Sequence, residues 1–539
     1  MNEEIEEYYE ELYRLYIDEN QPLERRYRQL RESLERVVRE KIQGNSLQTT
    51  DLAARINYVA TQYGLDLKEQ NQLHTFRLTS NDILNHRKSP VKEEFLRDLR
   101  AVAYAYRKMF AQDIPLKLFS VLPKQEIASS GKKEKMEYIR RIRVCFDYAD
   151  DTYLYVHPVD VIADEPIRVV YNKPGINHEF EETIKELWRY AQLNLLDVSV
   201  DRDGIYTPSF IVLEPDYLID ISSLAECYKD YGSHPANYFL SRLVPIDNAR
   251  PLLLGNIANL FLDEWIHAGE EEPDYIDCMK KAFRQYPIEL AACAELRDPS
   301  KEKEFAKDCR MHFEHIRDIV QHTFLEPGYN LDKKDAVLEP SYICEALGIQ
   351  GRLDYMQRDM SSFIEMKSGK ADEFSIQGKV EPKENNKVQM LLYMAVLEYS
   401  MGQDRRRMHP YLLYTRYPLL YPARASWAQV RRVINLRNRI VAAEYGVQFH
   451  NHPDFTRNLL AQINPEVVNE RKLSGRFWEQ YLKPSISRFR EKLSALEPLE
   501  QAYFYTLYNF ITKELYTSKS GDVDYEGRAG ASALWLSTL

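Results

Sequence analysis

The sequence predicts a protein of mixed α and β structure, and three observations support this class. Residues 1–112 carry apolar side chains at helical spacing almost throughout. Two other stretches, 114–172 and 337–367, contain short β-rich runs divided by Pro, Asp and Gly, as strands and turns are. The segments 222–326 and 384–516 return mostly to helical spacing, so blocks of helices and strands follow one another along the chain.

Length, composition and charge exclude several classes of protein. The 539 residues correspond to roughly three domains of usual size. Apolar residues make up 44% and charged residues 29%, which is enough apolar surface for real cores and excludes a chain that is disordered throughout. The net charge of −11 excludes a protein that coats nucleic acid through bulk positive charge, so a DNA or RNA site must be a local basic patch.

Cysteine spacing and hydropathy exclude further classes. The six cysteines include no CxxC pair, which disfavours a zinc module and a secreted disulfide scaffold. The chain starts with an acidic stretch and shows no basic-then-apolar leader, and its longest apolar run, 251–262, is shorter than the ~20 residues of a membrane span. We therefore expect a soluble, cytoplasmic protein with no membrane partner.

The sequence pattern divides the chain into four regions. We predict a helical N-terminal region at 1–112, a small β-rich or α+β domain at 113–204, a larger α/β domain at 205–516, and a linker or the start of a following domain at 517–539. A helix break is expected at Asn20–Pro22. Within the second region, 117–122 is predicted as a strand and 178–196 as a helix that leads to the boundary near 205.

The segment with the clearest chemical pattern is 348–370. Residues 352–356 and 361–367 are strand-like and flank a short polar turn, so the two runs can pair as a hairpin. This pairing would place the carboxylates of Asp354 and Glu365 side by side.

Strand geometry separates the chemical residues of this segment from its apolar residues. Because side chains alternate along a strand, Glu365 and Lys367 share one face, and Ile364 and Met366 share the other. Two neighbouring carboxylates repel each other unless a hard cation such as Mg²⁺ or Mn²⁺ lies between them. A nearby ammonium can orient a water molecule and offset charge on a pentacovalent phosphate, so the pattern predicts phosphodiester hydrolysis. The alternative is a solvated hairpin edge whose Glu–Lys pair contributes under ~1 kcal/mol.

Three motifs, in this order and spacing, resemble the RecB-like branch of the PD-(D/E)XK nuclease superfamily. They are GxxD at Gly351–Asp354, ExK at Glu365–Lys367 and QxxxY at Gln389–Tyr393. A closer resemblance is to the nuclease module of the DNA replication helicase–nucleases that trim long 5′ flaps. It adds the segments Leu347–Asp354, Glu365–Gly369, Leu436–Asn438, Leu213–Leu218 and Leu254–Asn259. The similarity covers 205–516 and leaves the first 200 residues outside it.

This resemblance implies a restriction-endonuclease-like core with helical additions, and it implies roles for individual residues. The implied ligands of Mg²⁺ or Mn²⁺ are Asp354, Glu365 and the main-chain carbonyl of Met366. Lys367 would be the catalytic lysine. Glu339 stands near the place of an additional carboxylate of the family, but Glu345 is close by, and an exposed loop acid is an equal alternative for Glu339.

The resemblance also implies that the helix behind the site contacts DNA. The DNA-binding residues that we expect are Gln389, Tyr393, Arg352, Arg416, Arg431, Arg432 and Arg437. The segment 401–440 contains nine arginines and one acid, a local charge of +8. It also holds aromatic rings on which bases could stack, at Tyr411, Tyr414, Tyr417, Tyr421 and Trp427. The alternative for this segment is an ordinary helix surface with buried aromatic residues.

Two departures from the family pattern concern its metals. Asn259 stands where the family often has a His, and its neutral amide makes it a weak and doubtful ligand. The family also commonly carries an iron–sulfur cluster with three late cysteines, whereas this chain has no cysteine after Cys344 and has Ser233–Pro235 in the early position. We therefore predict no iron–sulfur cluster. His312 and His315 are expected to be core or surface histidines rather than metal ligands.

Together these patterns predict a metal-dependent DNA nuclease of replication or repair. Its substrate would be single-stranded or flap DNA. The chain contains no GxxxxGK[ST] phosphate loop, so we expect coupling to a helicase domain elsewhere in the same chain or in a partner. Two alternatives stay open: a DNA-end or single-strand binding module on a weakened nuclease fold, and a CRISPR-type or recombination-type exonuclease.

Overall fold

The computed structural model describes residues 3–520, except for positions 19, 43–51, 124–137, 162, 164, 245–249, 330, 375–378, 425 and 451. The mixed α and β class predicted from the sequence is confirmed. Helices alone form the beginning and the end of the described chain, and several sheets lie between them.

The N-terminal region is a bundle of helices. Its helices are α1 (Glu3–Ile17), α2 (Leu23–Ile42), α3 (Leu52–Tyr63), α4 (Leu67–Leu84), α5 (Lys92–Phe110) and α6 (Leu116–Phe119). The break between α1 and α2 falls at Pro22, as predicted, because a proline within a helix removes a main-chain hydrogen bond. All six helices contribute to one apolar core, which includes Leu12, Leu34, Ile56, Phe76, Leu99 and Leu118.

The strand predicted at 117–122 is wrong. Leu116–Phe119 form a helical turn after Pro115, whose carbonyl accepts a hydrogen bond from the Phe119 amide at 2.9 Å. Leu118 points into the helical bundle and is buried there. Packing against neighbouring helices therefore decides the local structure, since none of the described strands pairs with this segment.

The first sheet closes on itself. Its strands are β1 (Tyr138–Ala149), β2 (Tyr153–Pro158), β3 (Ile167–Val170), β4 (Gln192–Val200), β5 (Tyr206–Thr207) and β6 (Phe210–Leu213). The order is β1-β2-β3-β5-β4-β6, and a further pairing of β1 with β4 closes the first five strands into a ring. β3 and β5 are parallel, and the other pairs in this sheet are antiparallel.

The helix predicted at 178–196 is only partly correct. A 3-10 turn at His178–Phe180 and helix α7 (Glu181–Lys185) occupy its first half, residues 186–191 form turns, and only its last five residues, 192–196, belong to β4. Residues 192–196 are buried, because β4 pairs with β1 on one edge and with β6 on the other. Sheet pairing thus overrides the helical spacing of the sequence. The sheet also continues beyond position 205, where we place the domain boundary, and that boundary stays a prediction.

The closed first sheet is a barrel, and the region that follows it contains most of the remaining helices and strands. Its helices are α8 (Ile221–Ala225), α9 (Ala236–Leu243), α10 (Arg250–His267), α11 (Tyr275–Gln285), α12 (Pro287–Ala292), α13 (Pro299–Gln321) and α14 (Glu384–Met401). Its strands are β7 (Ile219–Asp220), β8 (Ala336–Leu338), β9 (Ser341–Cys344), β10 (Ile349–Arg352), β11 (Tyr355–Gln357), β12 (Ser362–Lys367), β13 (Asp372–Phe374), β14 (Lys379–Glu381), β15 (His409–Tyr414) and β16 (Leu419–Pro422).

A five-stranded sheet in the order β16-β15-β12-β11-β8 lies at the centre of this region. β8, β11 and β12 are antiparallel neighbours, whereas β15 runs parallel to β12 after the α14 crossover. Ile364 and Met366 belong to the core that contains α10 and α13, and Phe363 belongs to the core that contains α14. The two faces of β12 are therefore covered by different helices, as the predicted alternation of its side chains requires.

Among the described residues, five α-helices follow the central sheet, and a π-helical turn at Trp478–Leu482 leads directly into the fourth of them. They are α15 (Trp427–His450), α16 (Pro453–Ala461), α17 (Pro465–Val468), α18 (Lys483–Ser494) and α19 (Pro498–Ser520). The predicted helix at 384–401 is present as α14, but it is not amphipathic in its middle, because residues 388–397 are buried on all sides. α19 extends to Ser520, so residues 517–520 of the predicted linker are helical, and 521–539 lie outside the described residues.

Candidate active site

The predicted hairpin is present and brings Asp354 next to strand β12. β11 pairs with β12 through Tyr355 and Ile364. Asp354 directly precedes β11, and its Oδ2 accepts a hydrogen bond from the main-chain amide of Met366 at 2.6 Å. This contact holds the Asp354 carboxylate over the segment that carries Glu365 and Lys367.

Glu365, Lys367 and Gln389 form one hydrogen-bonded group on the α14 side of the sheet. Lys367 Nζ donates to Glu365 Oε1 and to Gln389 Oε1, each at 2.8 Å. Gln389 Nε2 donates to the same Glu365 oxygen at 2.6 Å. Two residues on two elements therefore fix the position of the lysine ammonium, and Glu365 is only 4% exposed.

The second carboxylate oxygen of Glu365 differs from the other polar atoms of this group in its hydrogen bonding. Glu365 Oε2 is buried and has no hydrogen-bond partner among the residues that the structure describes. Burial and the negative charge of Asp354 together raise the pKa of Glu365 to about 8, although Lys367 opposes the shift. Burial also raises the pKa of Asp354. Two adjacent buried acids whose charged forms are both disfavoured can be neutralised either by a proton or by a bound cation.

The donor atoms fit a divalent metal ion of the hard type. The carboxylates of Asp354 and Glu365 and the Met366 carbonyl offer only oxygen, which suits Mg²⁺ and Mn²⁺. No group of three or more His, Cys, Asp or Glu side chains that could hold a metal occurs in the described part of the chain. A metal ion here would therefore depend on two carboxylates, a main-chain carbonyl and water, as Mg²⁺ sites often do.

Glu339 and Arg352 lie at the edge of the same site. The Glu339 amide donates to the Asp354 carbonyl at 3.1 Å, and Arg352 Nη1 donates to Glu339 Oε2 at 3.1 Å. The Arg352 side chain is exposed, so this pair is open to solvent. Glu339 adopts a positive φ of 48°, which bends the chain between β8 and β9. The structure thus brings Glu339, rather than Glu345, to Asp354; Glu345 instead pairs with Arg141 at 2.7 Å.

Gly351, the first residue of the GxxD motif, packs against Tyr393, the last residue of the QxxxY motif. Tyr393 is buried, and its hydroxyl donates to the Arg352 carbonyl at 2.6 Å. A Cβ atom on Gly351 would lie 3.0 Å from the Ile221 side chain and 3.1 Å from the Tyr393 ring. A larger residue at position 351 would have to displace these side chains by a few tenths of an ångström, so glycine suits this close approach. Gln389 and Tyr393 therefore shape the site from inside, and direct contact of these two residues with DNA stays a prediction.

Asp263 is a site residue that the sequence patterns did not predict. Gly255, Asn259 and Asp263 are four residues apart on α10 and so share one helix face. A Cβ on Gly255 would lie 3.3 Å from Ser368 Oγ, so this face approaches the end of β12. Burial, followed by the charges of Glu339 and Asp354, raises the pKa of Asp263 to about 6. Asp263 is thus a carboxylate near the site, and its position one turn after the half-buried Asn259 was the available signal.

The prediction that Arg437 binds DNA is wrong. Its side chain is fully buried and donates hydrogen bonds to main-chain carbonyls of Leu213, Glu214, Tyr217 and Gly348. Arg431 is also committed to structure, because its Nε donates to Glu179 Oε2 at 3.0 Å and its side chain is only 11% exposed. Arg432 is exposed and Arg416 is half-buried, so DNA binding by these two stays a prediction.

The predicted stacking surface is smaller than the sequence indicates. Tyr411 and Tyr414 are buried in the sheet and cannot stack on bases. Trp427 carries the guanidinium of Arg405 4.6 Å from its ring centroid. Arg405 and Arg439 pair with acids of neighbouring segments, Glu398, Glu182 and Glu186. These pairs neutralise part of the local charge of +8.

His312 is a core histidine, as predicted, and is fully buried in α13. Burial lowers its pKa to about 4. The Nδ1 atom of His315 lies 3.0 Å from the Thr415 carbonyl. Each of the six cysteines is buried, and none forms a disulfide.

No protein-family model and no curated protein matches this chain. In the part of the chain that the structure describes, every helix is too short or too polar to cross a membrane.

Proposed function

We propose that this protein is a metal-dependent DNA nuclease that hydrolyses phosphodiester bonds of single-stranded or flap DNA. The observation that carries the proposal is the arrangement at the end of β12. There, Asp354 and Glu365 lie together, Lys367 is held beside them, and one buried Glu365 oxygen lacks a partner. A divalent cation with a phosphate would complete this charge pattern.

The topology around the site supports a PD-(D/E)XK nuclease core of the RecB-like branch. A helical layer of α10 and α13 precedes three antiparallel strands, then the α14 crossover and the parallel strand β15. The three sequence motifs lie on the elements that surround this site. GxxD ends in the acid before β11, ExK ends β12, and QxxxY lies on α14. We infer the enzyme class from this agreement between motif and position.

The residues of the site would have different roles in hydrolysis: metal binding, charge stabilisation and positioning. Asp354, Glu365 and the Met366 carbonyl would hold Mg²⁺ or Mn²⁺, which polarises a phosphoryl oxygen and lowers the pKa of a bound water. Burial disfavours the charged lysine, but the carboxylates of Glu365, Asp354 and Glu226 together outweigh that effect and raise the pKa of Lys367. The ammonium therefore stays charged and can stabilise negative charge on the phosphate in the transition state. Gln389 keeps its Nζ atom in place.

We propose that the biological setting is DNA replication or repair, with a helicase in the same chain or in a partner. Exposed Arg352 lies beside Glu339 and could contact a phosphate close to the reacting group. A second candidate, a DNA-end or single-strand binding module that no longer cuts, is favoured by Asn259, which is a weaker ligand than histidine. The two candidates can be distinguished by DNA hydrolysis, which only the nuclease would catalyse.

The direct test of the proposed function is cleavage of labelled flap DNA and labelled single-stranded DNA by the purified chain. We expect shortened products with Mg²⁺ and none after chelation by EDTA. Binding without cleavage in Mg²⁺ and in Mn²⁺ would contradict the nuclease and support the binding module. Matched RNA substrates, run beside DNA, will define the preferred sugar.

A further inference from the structure

The barrel that precedes the candidate nuclease core has a recognisable strand order. Strands β1 to β5 are ordered β1-β2-β3-β5-β4 with closure onto β1, β3 is parallel to β5, and helix α7 lies between β3 and β4. This is the arrangement of an oligonucleotide/oligosaccharide-binding barrel, in which the outer face of the second and third strands and the adjoining turns contact ligands. The fold indicates where a ligand would bind, but only the side chains indicate which ligand.

Three tyrosines and one arginine cover this outer face, which we call the tyrosine face. Its residues are Tyr148 on β1, Tyr153 and Tyr155 on β2, and Arg168 on β3. Tyr148 and Tyr155 are cross-strand partners, and their rings stack with centroids 4.3 Å apart at 12°. Tyr148 is 50% exposed, whereas the alternating side chains that point into the barrel are fully buried, namely Leu154, Val156 and Val169. An aromatic surface of this kind is usually a contact surface.

The turns at the border of the tyrosine face are acidic. Asp150 and Asp151 lie in the turn between β1 and β2, and Asp201 and Asp203 flank Arg202 in the turn between β4 and β5. The main-chain amides of Tyr153 and Thr152 donate to Asp150 and lower its pKa, so this carboxylate is charged at neutral pH. Counting Arg168, the face and its two turns carry four acids and two bases.

This charge balance disfavours nucleic acid as the ligand. Barrels that bind single strands combine stacking rings with a positively charged groove that follows the phosphates. Here a phosphate backbone would lie against carboxylates. A cationic ligand, in contrast, would meet both the carboxylates of the turns and the tyrosine rings. One cation of the chain itself, the guanidinium of Arg168, already lies on this face. The guanidinium of Arg168 lies 5.8 Å from the Tyr153 ring centroid, and its Nη2 donates to the Asp203 carbonyl at 3.3 Å.

We propose that the tyrosine face binds a peptide segment of a partner protein that carries arginine or lysine side chains. The exposed ring of Tyr148 and the half-buried rings of Tyr153 and Tyr155 contact the cationic heads and their apolar stems, and the aspartates of the two turns supply the opposite charge. The partner is thus selected by cation–π contact and charge complementarity. This binding does not depend on the proposed nuclease chemistry.

The test measures the affinity of the full chain for two fluorescent probes of similar length. One probe is a peptide of alternating arginine and glycine, and the other is an oligothymidylate. Tyr148→Ser is expected to weaken peptide binding about tenfold, which corresponds to about 1.4 kcal/mol. Asp151→Asn is expected to weaken it as well and to reduce its dependence on salt. The matched control is Tyr138→Ser, since Tyr138 is 60% exposed on the same strand but outside the face.

Two results would overturn the proposal. One is a peptide affinity that is equal in Tyr148→Ser and Tyr138→Ser, because peptide binding would then occur elsewhere on this acidic protein. The other is tighter binding of oligothymidylate than of peptide, with loss in Tyr148→Ser, which would make the face a single-strand site. Both tyrosines are exposed, and Asp151→Asn changes an exposed turn, so thermal unfolding will show that the variants are folded. DNA cleavage, measured separately, reports on the proposed function and not on this face.

Discussion

Lys367→Ala is expected to slow phosphodiester cleavage by a factor of about 10² to 10³, which is about 2.7–4 kcal/mol of transition-state stabilisation. The Lys367 ammonium is held 2.8 Å from both Glu365 and Gln389 and has no substitute within this group. The measurement is the single-turnover rate on labelled flap DNA at saturating Mg²⁺. DNA affinity should change little, because one partly buried charge makes only a small part of the electrostatic contact with a strand.

Lys370→Ala is the matched control for this rate. Lys370 lies three residues further along the chain and is exposed. Its replacement removes one positive charge near the site but keeps Lys367 and its hydrogen bonds. Cleavage by Lys370→Ala should remain close to that of the parent. Equal rates for Lys367→Ala and the parent would show that the lysine has no catalytic role.

Arg437→Leu is expected to destabilise the fold by about 3–5 kcal/mol. The Arg437 side chain is fully buried and hydrogen-bonds the carbonyls of Leu213, Glu214, Tyr217 and Gly348. Burial lowers its pKa to about 10, yet the residue stays charged at neutral pH. Leucine would remove the guanidinium donors from all four carbonyls. The Gly348 and Glu214 carbonyls would keep the amides of Ile219 and Tyr217 as donors, but each buried group left unsatisfied costs about 1–3 kcal/mol.

The measurement for Arg437 is the free energy of unfolding from denaturant titration. Arg432→Leu is the control, because Arg432 is exposed on the same helix and should change stability by less than about 0.5 kcal/mol. If Arg437→Leu unfolds at the same denaturant concentration as the parent but loses DNA affinity, the predicted DNA-binding role will be correct after all. We expect the opposite pattern.

The sequence was sufficient to predict the local geometry of the candidate site. Alternation along β12 is a property of any strand, and it correctly separated Glu365 and Lys367 from Ile364 and Met366. The hairpin that brings Asp354 to β12 follows from two strand-like runs and a short polar turn. Such features depend on neighbours in sequence and are therefore visible without a structure.

Features that depend on distant parts of the chain were missed. Arginine is a residue type that often binds DNA, but the hydrogen-bond partners of Arg437 are more than 85 residues away in sequence and enclose it. Residues 192–196 have helical spacing but are held between β1 and β6. Asp263 becomes part of the site only because α10 packs beside the hairpin. In each case tertiary contacts decide the outcome, and a charge or periodicity count cannot detect them.

The central claim is that Asp354 and Glu365 share a divalent cation beside Lys367. Its most direct test is an anomalous difference map from crystals soaked in Mn²⁺. We predict a peak between the two carboxylates, at the roughly 2.0–2.2 Å usual for hard divalent ions, with Glu365 Oε2 among its ligands. A map without a peak there, in crystals that bind Mn²⁺ elsewhere or not at all, would contradict the claim.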